Sequence, residues 1–137
     1  GSKKKMNRKE VFAFVKNRFE TEPDYPWFDE NAVLRHKENK KWYGIVLQVG
    51  KDKLGLTGEG FIDVLNVKCD PILIGSLRHE EGYHPAYHMN KDKWLTIRLD
   101  GSVPAEEIQN LIELSFELTA PKLKKYRSKR LISNKID

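Results

Sequence analysis

A chain of 137 residues with 39% hydrophobic and 33% charged content fits one globular domain with a core of ordinary size, not a disordered or fibrous chain. No apolar run approaches the ~20 residues of a membrane-spanning helix, no signal-peptide pattern opens the chain, and a single cysteine, Cys69, excludes an intrachain disulfide. The net charge of +5 is unevenly placed: residues 1–5 carry +3, residues 121–137 carry +6 and the body, residues 6–120, carries −4, so any polyanion must be met by local patches or by the two ends.

Gly1-Ser2 reads as a cloning scar, with Met6 near the natural start. Asn7 to about Thr21 reads as a first helix. Asn7 caps it, Glu10 completes a capping box, and Val11, Val15 and Phe19 recur along one stripe. Pro23, Asp24 and Pro26 end that helix. In the loop that follows, Tyr25, Trp27 and Phe28 are expected to plug the edge of the core. The period then changes to that of strands: Val33–Lys37, a Glu38-Asn39-Lys40 turn, and a buried strand Trp42–Val49. A glycine-rich connection, Gly50–Gly60, leads to a strand from Phe61 to Val67. Asp70-Pro71 is a cap followed by proline, which predicts a short helix stopping near Gly82. A short strand, a basic turn (Asn90-Lys91-Asp92-Lys93) and a strong strand with Trp94, Leu95, Ile97 and Leu99 form the next hairpin. Asp100-Gly101 turns the chain into a last helix, about Pro104–Thr119, with Ile108, Leu111, Ile112 and Leu118 on one face. The order predicts an α+β two-layer sandwich: an antiparallel sheet of about five strands, packed by the N- and C-terminal helices. It makes one domain, 6–120, with a basic tail, 121–137.

Few residues assemble into chemistry. His84 and His88, four apart on a strand with Pro85 between, would stand ~13 Å apart, too far to share one ion. The run Gly55-Leu56-Thr57-Gly58-Glu59-Gly60 precedes a strand, not the helix a phosphate cradle needs. Cys69 lies between Lys68 and Asp70 with no activating partner in sequence. Glu106 and Glu107 suit the first turn of a helix. No catalytic set, metal site or cofactor site is expected.

What remains is a set of basic turns: Lys37, Lys40 and Lys41 at the first, Lys51 and Lys53 at the second, Lys91 and Lys93 at the third beside His88 and Trp94. Hairpins with basic tips can lay lysines on phosphates, and basic arms hold phosphate backbones. A second reading is a protein-interaction or small-ligand module using Tyr25-Pro26-Trp27-Phe28 or a sheet face.

From Asn7 to about Thr119 the chain resembles the MmcQ/YjbR family. The resemblance is carried by the early helix, by KWYGIVLQV at Lys41–Val49, by VKCDP at Val67–Pro71, and above all by GYHPAYHMNKDKWLTIRLDGSVPAEEI at Gly82–Ile108. It implies a fold similar to CyaY and frataxin and a DNA-binding role with two β wings. On this sequence the wings are the His88–Trp94 turn, with Lys91 and Lys93 on phosphates, and the Lys37–Lys41 turn or the Lys51–Lys53 connection. The expected partner is double-stranded DNA, met by a cytoplasmic, non-enzymatic monomer. Frataxin-like iron binding does not carry over, because it uses an acidic first helix and this one carries Arg8, Lys9, Lys16 and Arg18 against Glu10 and Glu20.

Overall fold

The computed structural model describes residues 5–121; all of the basic tail beyond Pro121 lies outside the described residues. Helix α1 (Arg8–Phe19) precedes strands β1 (Ala32–Arg35) and β2 (Trp42–Gly50), a 3₁₀ turn (Lys51–Leu54) and β3 (Phe61–Lys68). Helix α2 (Pro71–Leu77), strands β4 (Tyr83–Pro85) and β5 (Trp94–Arg98) and helix α3 (Ala105–Leu118) complete the fold. The strands form one antiparallel sheet in the order β1-β2-β3-β5-β4. No helix among the described residues is long and apolar enough to cross a membrane.

Local chemistry sets the helix ends. Asn7 accepts from the Glu10 amide while the Glu10 carboxylate accepts from the Asn7 amide, so two otherwise orphaned donors are satisfied reciprocally. Asp70 accepts from the Ile72 amide, ahead of Pro71 at the first helical position. Gly82, at φ +91°, turns the chain from α2 into β4. A Cβ there would lie 2.5 Å from Val103, so both backbone angle and space call for glycine.

The helices cover one face of the sheet. Val11, Val15, Ile108, Leu111 and Ile112 pack there on Leu34, Tyr43, Val46, Leu65, Leu95 and Ile97. The opposite face carries a second apolar cluster, with Val33, Ile45, Leu47, Val64 and Trp94 beneath Ala86, Tyr87 and Met89. Strand alternation lets β2 serve both faces, and a bulge shifts that alternation at its start. Leu34 pairs with Gly44 and Arg35 with Trp42, so Tyr43 is the extra residue and turns inward beneath the helices.

Two expectations are corrected. Tyr25, Trp27 and Phe28 do not plug the core: they are 41%, 46% and 97% exposed, although Asp24 ties their loop to β1 through paired backbone bonds with Val33. On α3 the buried position near the C-terminus is Ser115, while Leu118 is 44% exposed. Ser115 goes inside because its hydroxyl accepts from the Lys68 amide at 2.9 Å and donates to the Tyr43 carbonyl at 2.6 Å. It bridges β2 and β3 where their ladder stops after the Gly44–Val67 pair.

Candidate nucleic-acid interface and the cleft beside it

The antiparallel order fixes which loops share an end. The β1–β2 turn and the β4–β5 loop lie at one end of the sheet; the Lys51–Lys53 connection lies at the other. Lys37, Lys40 and Lys41 are therefore brought to the same end as His88, Lys91 and Lys93, and Lys51 and Lys53 are not. With strands spaced ~4.8 Å apart, the ends of β2 and β5 stand ~10 Å apart and the outer edges ~19 Å apart.

Both basic turns are held from within. In the first, the His36 amide donates to the Lys41 carbonyl at 3.0 Å and the Lys41 amide to Asn39 Oδ1 at 3.0 Å. The Asn39 side chain in turn donates to the Thr119 carbonyl at 3.0 Å, which ties the turn to the C-terminal end of α3. The described chain thus ends, at Pro121, beside Lys37–Lys41. Lys40 adopts φ +64°, the left-handed step of this turn. In the second loop the Asp92 amide donates to Asn90 Oδ1 at 2.8 Å, and the Lys93 carbonyl accepts from the Cys69 amide at 2.9 Å. Lys91 Nζ donates to the Ala86 carbonyl at 2.9 Å, closing the loop on itself. Among the described residues none of these five lysines pairs with a carboxylate. Glu38 and Asp92 are the acidic residues within the two turns.

His88 differs from its expected setting. β4 ends at Pro85, and residues 86–93 cross the sheet's second face. A buried polar row explains the crossing. Asn66 of β3 donates to the Tyr87 carbonyl at 2.9 Å, the Tyr87 amide donates to Thr96 Oγ1 at 2.9 Å, and Thr96 donates to Asn66 Oδ1. Strand side chains thus supply the bonds that a longer β4 would have made. The crossing leaves a cleft of about 370 Å³. Ile45, Leu47 and Asn66 form its floor, with Asn31 at one margin. Trp27 and Trp42 stand on one side, edge to face at 5.9 Å, and Tyr87, His88 and Met89 on the other. In the sequence these aromatics belong to separate elements. Their convergence has no local signal, since the loop crossing depends on Asn66 and Thr96, polar residues inside apolar strands.

The thiol is not part of this end's chemistry. Cys69 is buried on the helix face, and burial followed by the neighbouring Asp70 carboxylate pushes its pKa up to about 12, so it remains protonated at neutral pH. It lies across the sheet from the Tyr87–Met89 wall.

A family model described as YjbR matches residues 17–118. The chain is 48% identical over 116 residues to "Uncharacterized protein YyaQ" of Bacillus subtilis, covering 83% of this chain and 98% of that one. It is 32% identical over 69 residues to "Uncharacterized protein YjbR" of Escherichia coli K12, covering 50% and 58%. Among solved structures, a Pseudomonas syringae protein superposes with a TM-score of 0.82 at 44% identity, covering 84% of this chain and 100% of that one. A Deinococcus radiodurans protein does so with a TM-score of 0.65 at 25% identity, covering 85% and 80%.

Proposed function

The chain belongs to the YjbR family, and from that premise we propose that it is a non-enzymatic, cytoplasmic DNA-binding protein, whose Lys37–Lys41 and Lys91–Lys93 turns grip duplex phosphates. One observation carries the reading: two lysine turns from opposite halves of the sheet share one end, and among the described residues none of their ammonium groups is tied to a carboxylate. Their spacing, ~10–19 Å, is comparable to the ~12 Å width of a major groove. The body's charge of −4 works against binding anywhere else on the domain, so the contact is confined to this end and to the basic sequence that follows it.

Duplex titrations across salt concentrations test this directly. Log K should fall linearly with log salt, by ~0.9 for each phosphate contacted. Lys91→Glu combined with Lys93→Glu should weaken binding several-fold and make that slope shallower. Absence of binding at low salt removes the proposal. If deletion of residues 122–137 alone abolishes binding and the double charge reversal changes nothing, the tail is the binder and the turns are not.

A further inference from the structure

Resting on that phosphate-binding reading, we propose that the cleft between the two lysine turns seats an unpaired nucleobase, its sugar and phosphate running out to the lysines. The walls of the cleft adjoin the turns in the chain itself. Trp42 follows Lys41 directly, and Met89 lies two residues before Lys91. A lysine turn thus adjoins each wall along the chain, and Lys91 Nζ lies on the Ala86 carbonyl, next to the Tyr87–Met89 wall.

The lining suits a flat, polar-edged ring better than an aliphatic group. Two indoles, a phenol and an imidazole flank an apolar floor, and aromatic walls beside a cationic track are how single-stranded nucleic acids are held. Base edges also need donors and acceptors. Asn31, half-buried at the margin, spends one amide N–H on Asp29, which leaves the other able to donate. The His88 ring adds a further polar edge. A volume of about 370 Å³ falls within the range of small-ligand sites.

The walls are also fixed in advance. Tyr87 is pinned through the Asn66–Thr96 bonds. His88 and Phe28, one on the wall and one next to Trp27, hold φ of +62° and +58°. Bulky side chains adopt this left-handed conformation at a cost, and such residues gather at binding sites.

Three probes separate base from phosphate: a short thymidine oligonucleotide, an abasic oligonucleotide of the same length, and thymidine monophosphate. Fluorescence anisotropy should show the single strand binding ~10-fold more tightly than the abasic backbone. Trp27→Ala, at an exposed loop position, should abolish that difference and leave abasic affinity unchanged. Lys91→Glu with Lys93→Glu should weaken both strands alike. Equal affinity of the wild-type chain for the two strands, still salt-dependent, overturns the cleft assignment and leaves the phosphate reading standing. Failure of both strands to bind, with thymidine monophosphate quenching tryptophan fluorescence in the wild type but not in Trp27→Ala, keeps the base in the cleft and overturns the run of its backbone out to the lysines. No response to any probe overturns the cleft assignment, while the phosphate reading stands or falls on the duplex titration.

Discussion

His84 and Ser115 show how single side chains settle the sheet. His84 sits on β4, opposite Thr96, with its Nε2 buried and, among the described residues, without a hydrogen-bond partner. Burial, then the Arg98 guanidinium, lowers its pKa below the ordinary 6.5, and the Asp100 carboxylate opposes them only in part. The unfolded chain therefore binds the His84 proton more readily than the folded one. The resulting stability is fully present above ~6.5 and is lost as pH falls through the depressed folded value. Urea midpoints measured from neutral pH down toward ~5 should drop more steeply for the wild type than for His84→Gln. Parallel curves for the two proteins would exclude His84 as the source. At Arg98 and Asp100 the balance differs. Burial pushes the Asp100 carboxyl up, but hydrogen bonds from Ser102 and the Arg98 guanidinium hold it below its usual range.

Among the elements, α3 is attached by more than its apolar stripe. Val11 and Val15 of α1 and Ile108, Leu111 and Ile112 of α3 choose the buried face of each helix through their apolar stripes. Ser115 fixes the position of α3 over the strands, because its hydroxyl meets the Tyr43 carbonyl left off the ladder by the bulge and the Lys68 amide beyond the last β2–β3 pair. Ser115→Ala leaves both backbone groups unpaired and should cost ~1–3 kcal/mol. It should appear as a lower urea midpoint with an unchanged slope. A similar logic governs β4, which is only three residues long yet begins a wall of the cleft. Asn66 and Thr96, fully buried within apolar strands, draw the following loop across the sheet rather than along its edge.

For the whole molecule, the antiparallel order sorts the basic residues. Lys37, Lys40, Lys41, Lys91 and Lys93 share one end, whereas Lys51 and Lys53 lie at the other. Charge reversal at Lys51 and Lys53 should therefore leave duplex affinity within about twofold of wild type, while reversal at Lys37 and Lys40 should weaken it and make the salt slope shallower by up to ~0.9 for each phosphate released. Equal weakening by the two pairs would point to diffuse attraction instead of an oriented surface. Element types, the Asn7 and Asp70 caps and the α+β arrangement were legible in the residues, because capping, proline placement and the change from helical to strand period act over a few neighbours. The bulge at Tyr43, the inward turn of Ser115 and the meeting of Trp27, Trp42 and Tyr87 were decided only by tertiary structure. Each depends on hydrogen bonds or ring contacts between residues far apart in the chain, which local patterns do not encode.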